Sequence, residues 1–428
     1  MKARHALFTV LFLALAAWSG TVFGQSSGDW NKYSGLDGVY DMTPKTLTPA
    51  PKGYKATYIS HYGRHGSRYA YTVKTFAIPM KILRDGAASG NLTERGAKLL
   101  EDLEKFWEKG QYTIGDLTPL GWKQHAWIAQ NMVQSFPHAF KKGCRIDACS
   151  SAAIRSIMSM ASECTSFARE VPDADIYAHQ SILDIQATRP NHGSDNPFRY
   201  KGPELVFPYE ESSETFFLRM FPNYELVLGR LFKDTSGCCG EWTPYKVFFY
   251  YYMLIVGMNS LPEEERIDIS GLLTDEELAI LWKTDNYERF REYFGYCTSC
   301  SSIVDDIIAK ADARLAEGST GADLRFGHDH VLMALFLIMD INDSATTPTE
   351  ANDLSDWFCS FNSPMGANLQ FVFYTPKSGE GNTLVKVLLN GEEARLGRLQ
   401  AWSGPYYKWE DVKGYLHKRT DLFVIREK

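Results

Sequence analysis

The chain reads as an α/β protein, a central mixed sheet flanked by helices, with a large all-α insertion. Three observations predict this. Residues 56–69 begin as a strand and stop in a polar loop around two glycines. A strand that ends this way opens a ligand site at the carboxyl edge of an α/β sheet. Strand and helix patterns then alternate up to residue 183, after which aromatic-rich helical patterns fill residues 184–318. Strands return in residues 319–428, where a short one before His328 and two apolar ones at 369–374 and 384–389 complete the sheet. The expected division is therefore a signal segment at 1–24, an α/β domain in two parts at 25–183 and 319–428, and an α-helical insertion at 184–318.

The elements follow in order. Lys2 and Arg4 precede an apolar run over 6–18, and a small residue stands before Gln25. That is the layout of a cleavable export signal. The run is short for a membrane span, which takes about 20 apolar residues. The predicted location is periplasmic, surface-associated or secreted, with no membrane span once the signal is removed. The chain carries 45 basic and 52 acidic residues, a net charge of −7, and the signal would take two of the basic ones with it. Such an acidic protein is no general binder of nucleic acid or of membrane surfaces, so any polyanion must be met by a local basic funnel. Eight cysteines stand at 144, 149, 164, 238, 239, 297, 300 and 359. In an exported chain disulfides are the first expectation. Zinc on Cys238, Cys239, Cys297 and Cys300 is disfavoured, since export favours oxidation and a vicinal pair is an unusual ligand set.

Residues 25–55 read as an irregular arm. Pro51 and Gly53 form a turn, and Thr57, Tyr58 and Ile59 start the first strand. Its exit carries His61, Arg64, His65 and Arg68, all donors and no carboxylate. The natural guest of such a cluster is an anion, and arginine forks match phosphate bidentately. His65 has the chemistry of a donor, a metal ligand or a nucleophile. A helix begins after Thr93 and ends near Gly110. A second starts at Thr118-Pro119, a good cap followed by a proline that suits the first turn. His125 on that helix reads as a helix-surface histidine. A strand at 144–149 runs into Ser150, Ser151 and Arg155 and then a helix at 157–169. On this segment alone Arg155 is as readily a surface charge as an anion ligand. A further strand falls at 174–178.

In the insertion, helical patterns cover 211–232 with a break at Pro222, 247–258, 272–282 and 303–315. Near its start Arg189, His192, Arg199 and Lys201 form a loose basic group suited to distal charges of a multi-phosphate ligand. The next strand exits at His328, Asp329 and His330 and is followed by a very apolar helix at 331–339. Asn390-Gly391 marks a tight turn, and residues 404–409 lead into a C-terminal helix.

Arg64-His65-Gly66-Ser67-Arg68 resembles the RHGxR signature of the histidine acid phosphatases, and residues 58–68 are most similar to the multiple inositol-polyphosphate phosphatase branch. The family's fuller pattern has a Pro where Ala70 stands here. Thr118 and Gly121 match the family's LTxxG helix start. The resemblance implies that His65 is a nucleophile forming a phosphohistidine, that Arg64, Arg68, Arg155 and His328 bind phosphate, and that Asp329 protonates the leaving group. The inositol-polyphosphate branch usually reads His-Ala-Glu, placing its acid where this chain has His330. Asp329 is the carboxylate of the motif here. Arg189 and Lys201 are candidates for the remaining phosphates. The implied partner is a small phosphate ester, foremost an inositol polyphosphate such as phytate. No cofactor or metal is implied, because arginines supply the electrostatic stabilisation. The alternatives are a non-catalytic inositol-phosphate-binding protein, which would need the basic pocket but not the acid, and an acid phosphatase or glucose-1-phosphatase with other substrates. A metal site on His61, His65, His328 and His330 is a further reading, disfavoured by the arginines beside it.

Overall fold

A computed structural model of the chain describes residues 32–191, 200–269, 271–358 and 360–425. The expected signal at 1–24, His192, Arg199 and Cys359 lie outside the described residues. Eight strands form one mixed sheet: β1 (Tyr54–Arg64), β2 (Arg145–Ser150), β3 (Asp175–His179), β4 (Gly321–Gly327), β5 (Asn368–Pro376), β6 (Leu384–Leu389), β7 (Glu392–Ala394) and β8 (Tyr407–Lys408). Their order is β3-β2-β4-β1-β5-β6-β7, with β8 also pairing β6. The β3-β2-β4-β1 half is parallel, and β5 onward is antiparallel. β1 lies at the junction and is buried from Ala56 to Arg64, so its polar members Thr57, Ser60, His61 and Arg64 are buried along with Tyr58, Ile59 and Tyr62. The turn between β6 and β7 is made by Asn390 and Gly391 at φ 53° and 80°, the left-handed pair that a two-residue hairpin needs.

The helices are α1 (Lys74–Ala88), α2 (Glu94–Gly110), α3 (Pro119–Ser135), α4 (Ile154–Glu170), α5 (Ile185–Thr188), α6 (Ser213–Met220), α7 (Tyr224–Leu228), α8 (Pro244–Gly257), α9 (Asp275–Phe294), α10 (Cys297–Glu317), α11 (Asp329–Met339), α12 (Leu354–Trp357) and α13 (Trp409–Thr420). α2 and α3 begin where their caps place them, with Thr93 and Thr118 each accepting from the third residue on. No described helix is long and apolar enough to cross a membrane.

Three cores hold these elements. On one face of the sheet Ile128 and Met132 of α3 and Met160 and Phe167 of α4 pack on Ile59, Ile146, Leu324 and Val372. On the other, α10, α11 and α13 pack on Tyr58, Tyr62, Phe371, Phe373 and Val387. Every residue of α11 from Val331 to Met339 is buried, as expected of a helix apolar on all sides. The third core lies off the sheet. It joins Phe76, Leu83, Leu99 and Leu103 of α1 and α2 to Phe217, Phe248, Leu254 and Leu281 of α6, α8 and α9. In space, then, the helical layer recruits α1 and α2 from the first α/β segment. α9 belongs to two cores, with Leu278 and Leu281 in the helical layer and Tyr287, Phe290 and Tyr293 in the core under the sheet.

The expected disulfides are not formed among the described residues: all seven of their cysteines are free. Cys144 and Cys149 are five residues apart along an extended segment, roughly 16 Å, beyond the reach of a disulfide. Cys297 and Cys300 are buried as part of the apolar core around α10 and α11.

Candidate active site

β2, β4 and β1 are adjacent and parallel, so their carboxyl ends lie side by side. Arg64 pairs with Gly327 and Ser150 with Phe326. The three exits, at His65, Ser151 and His328, therefore converge on one edge of the sheet. Backbone bonds knit them: His65 N–H donates to Gly327 O at 3.1 Å, Ser151 N–H to Phe326 O at 2.9 Å, and Gly366 N–H to His65 O at 2.9 Å.

The loop after β1 rests on the start of α3. Thr118 donates to Ser67 O from both its N–H, at 2.9 Å, and its hydroxyl, at 3.0 Å. Gln124 accepts from Ser67 N–H at 2.8 Å and donates to Ser67 Oγ at 3.0 Å. Gly66 N–H donates to Ser159 Oγ of α4 at 3.0 Å. The backbones of Gly66 and Gly121 approach so closely that a Cβ on Gly66 would stand 2.6 Å from Gly121 O, and one on Gly121 would overlap Ser67 O. Both glycines are required by that contact.

His65 is buried, and its Nδ1 faces Gly66 O at 2.9 Å. A carbonyl only accepts, so Nδ1 carries the proton and the lone pair sits on Nε2. Burial, then the charges of Arg155 and Arg64, hold its pKa well below the usual histidine range, so the ring is neutral. Arg64 is anchored by Nη1 to the carbonyls of Leu36 and Ser363, while its buried Nε has no hydrogen-bond partner. Arg68 pairs with Asp37 at 3.3 Å and lies 5.1 Å from the Tyr71 ring. Arg155, in the first turn of α4, also has a buried Nε without a partner. Burial and the nearby Arg68 pull its pKa down to about 10. His328 Nε2 lies 2.9 Å from Ser151 Oγ, and its ring meets His65 edge-on at 5.5 Å. Burial and His330 keep His328 neutral as well. The pocket thus sets several guanidinium groups against two carboxylates, Asp37 and Asp329, and leaves donor nitrogens unused. It is built for an anion.

Asp329 opens α11, where a negative side chain is favoured by the helix dipole. Its Oδ2 accepts from the Tyr293 hydroxyl at 2.7 Å, and its Oδ1 stands 3.9 Å from Arg64 Nε. Burial disfavours the charged carboxyl, but Arg64, His330 and Tyr293 outweigh it and hold the pKa well below the usual carboxylate range. His330 stacks on His328 at 5.3 Å with the rings 6° from parallel, and burial takes its pKa down to about 4.

The structure therefore brings Arg64, His65, Arg68, Arg155, His328 and Asp329 together. Arg189 ends α5 at the same edge, its buried Nε without a partner and its charge felt by His328, His330 and Arg155. Lys201 is not brought in. It is exposed, and its carbonyl accepts from Ile425 N–H at 2.8 Å near the C-terminal end. His61 also lies apart: its ring packs over Gly63 and against Phe326, on the face covered by α3 and α4. His125, expected at a helix surface, is instead buried in that layer, 2.8 Å from the buried Glu163, because α3 turns this face onto α4 and the sheet.

Asp37, Ser159, Gln124 and Tyr293 touch the residues gathered here, and sequence reasoning did not single them out. Asp37 sits in the irregular arm and Tyr293 in an aromatic helix, with no local pattern to mark either. Ser151 carried a faint signal, as a small polar residue at a strand exit.

No protein-family model and no curated protein sequence matches the chain. Solved structures do. The multiple inositol polyphosphate phosphatase of Bifidobacterium longum, in complex with inositol hexasulfate, superposes with a TM-score of 0.71 at 18% identity, covering 90% of this chain and 97% of that one. The phytase from D. castellii gives 0.64 at 12% identity over 91% and 85% of the two chains. The Klebsiella sp. ASR1 phytase gives 0.53 at 13% identity over 89% and 100%. At these identities the likeness is one of fold, and the fold is that of the histidine acid phosphatases.

Proposed function

We propose that the protein hydrolyses phosphomonoesters, with inositol polyphosphates as the substrate class, through a phosphohistidine on His65. The observation that carries this reading is a neutral, buried His65 whose Nδ1 proton is committed to Gly66 O, leaving the Nε2 lone pair among arginines that have unused donors. Nε2 attacks phosphorus, the bond from phosphorus to the ester oxygen breaks, and the departing alkoxide takes a proton from Asp329. In the second half Asp329, now a carboxylate, takes a proton from water, the water oxygen bonds to phosphorus, and the P–N bond breaks. Arg64, Arg68, Arg155 and His328 stabilise the charge on the equatorial oxygens, each such donor being worth about 10²–10³ in rate. Asp329 is ionised in the free protein. An arriving phosphate neutralises the arginines around it and adds negative charge beside the carboxyl, and both effects raise its pKa toward the protonated form that an acid needs.

The inositol preference is supported by the fold neighbours named for that chemistry and by Arg189, which adds a buried unused donor beyond the four phosphate ligands. The charged and apolar run over 2–18 supports export. The test is a rapid quench in alkaline denaturant, which preserves an acid-labile phosphohistidine, with phosphate-labelled substrate. Label is expected on His65 and absent in His65→Ala, which still binds substrate. Label on another residue would refute the nucleophile assignment. Tight binding of inositol hexakisphosphate with no turnover would favour a binding protein instead.

A further inference from the structure

Asp329 meets groups from three elements. Arg64 of β1 and His330 of α11 each stand 3.9 Å from Oδ1, too far for a hydrogen bond. Tyr293 of α9 donates to Oδ2 at 2.7 Å. Oδ2 is therefore committed, and Oδ1 is the oxygen left facing the pocket. Tyr293 is buried and shares its core with Phe290 and Phe358, surroundings in which a phenylalanine would pack equally well. A buried phenol hydroxyl needs a partner, and here the partner is the one carboxylate of the His328–His330 motif. α9 is also the helix that runs from the helical layer into the core under the sheet.

Resting on the phosphatase reading above, we propose that Tyr293 is a positioning residue for the acid. It holds Oδ2 so that Oδ1 presents its proton to the leaving oxygen, and it ties the acid of the α/β part to a helix of the helical layer. The other groups that act on Asp329 are Arg64, His328 and His330, Arg289 on α9, and Arg155 and Arg189 from α4 and α5. All of them remain when the hydroxyl is removed, so Tyr293→Phe isolates the hydrogen bond.

Single-turnover phosphoenzyme formation is measured for Tyr293→Phe, Asp329→Asn and the double variant. Tyr293→Phe is expected to slow transfer from an inositol phosphate by about tenfold or more, the value of a hydrogen bond to a charged group. Transfer from p-nitrophenyl phosphate, whose leaving group departs without a proton, should change little. In the Asp329→Asn background the second substitution should add nothing. Equal losses on both substrates, or losses that multiply in the double variant, would overturn the proposal. Carboxyl-detected NMR of Asp329 gives a readout that needs no turnover. Its titration midpoint is expected to rise in Tyr293→Phe, because a bond to the ionised form is lost, and an unchanged midpoint would overturn the proposal. If the wild-type protein forms no phosphohistidine, the phosphatase reading falls, and the titration alone decides whether Tyr293 holds Asp329.

Discussion

Arg64 and Arg189 illustrate two ways an arginine serves an anion site. Arg64 spends Nη1 on two backbone carbonyls and so becomes rigid, and its remaining donors are aimed without further entropy cost. Arg189 has a buried Nε with no partner at the end of a one-turn helix, and an unmet buried donor costs stability until a ligand arrives. If Arg189 binds a second phosphate, Arg189→Ala should raise KM for inositol hexakisphosphate by roughly tenfold to a hundredfold, the range for a charged hydrogen bond. KM for p-nitrophenyl phosphate should move little. Steady-state kinetics on the two substrates test this, and equal shifts would place Arg189 at the reacting phosphate. The residues of the signature were legible in sequence because they are contiguous. Tyr293 and Asp37 were not, because each reaches the site from a separate part of the chain.

At the scale of elements, α3 is the support on which the signature loop lies. Thr118 caps the helix and also holds Ser67 O, and Gln124, six residues on, holds Ser67 from two sides. Gly121 completes the contact by having no side chain. Gly121→Ala would push the Ser67 carbonyl away and with it Arg68 and His65. The helix itself should gain, since Ala is favoured over Gly by about 1 kcal/mol within a helix. The expected outcome is therefore a folded protein with kcat reduced by at least about tenfold, consistent with the sensitivity of catalysis to small misplacements. Circular dichroism and kcat on p-nitrophenyl phosphate check both halves, and full activity would show that the loop tolerates the shift. The helix start was readable from its cap, but its contact with the loop was not, because that contact pairs residues about fifty positions apart.

The whole molecule carries a pH signature in its buried histidines. His61, His65 and His328 are all held well below the usual histidine range, chiefly by burial. Such a ring stays neutral in the fold while the unfolded chain takes up a proton below about pH 6.5. Stability from this source is full above that pH and falls as pH drops, by about 1.4 kcal/mol per pH unit for each ring. Glu163, whose carboxyl burial pushes up, acts with the opposite sign. Thermal unfolding followed from neutral toward acid pH should show the decline, and His61→Gln should flatten its slope by one group. An unchanged slope would mean that His61 takes up a proton within the fold. His61 is the apt choice because it lies outside the site, so phosphate binding leaves its contribution untouched.

The sequence by itself determined the fold class, the two strand exits that carry Arg64-His65 and His328-Asp329, the cap of α3 and the apolar helix after the second exit. These are local patterns, set by burial period, capping chemistry and the need of a strand exit for glycine. Only the tertiary structure decided which basic residues share a pocket. Arg189 arrives at the edge of β4, while Lys201 turns to the surface beside Ile425, though both stood in the same basic stretch. It likewise decided that His61, within β1, belongs to the core and His65, just past its end, to the site, though only four residues separate them. Cys144 and Cys149 stand too far apart along their extended segment to join each other, whatever their number suggests. Long-range contacts settled each of these matters, because a side chain's environment is made by the elements packed against it, and α9, α5 and the arm before β1 meet the site only when the chain has folded.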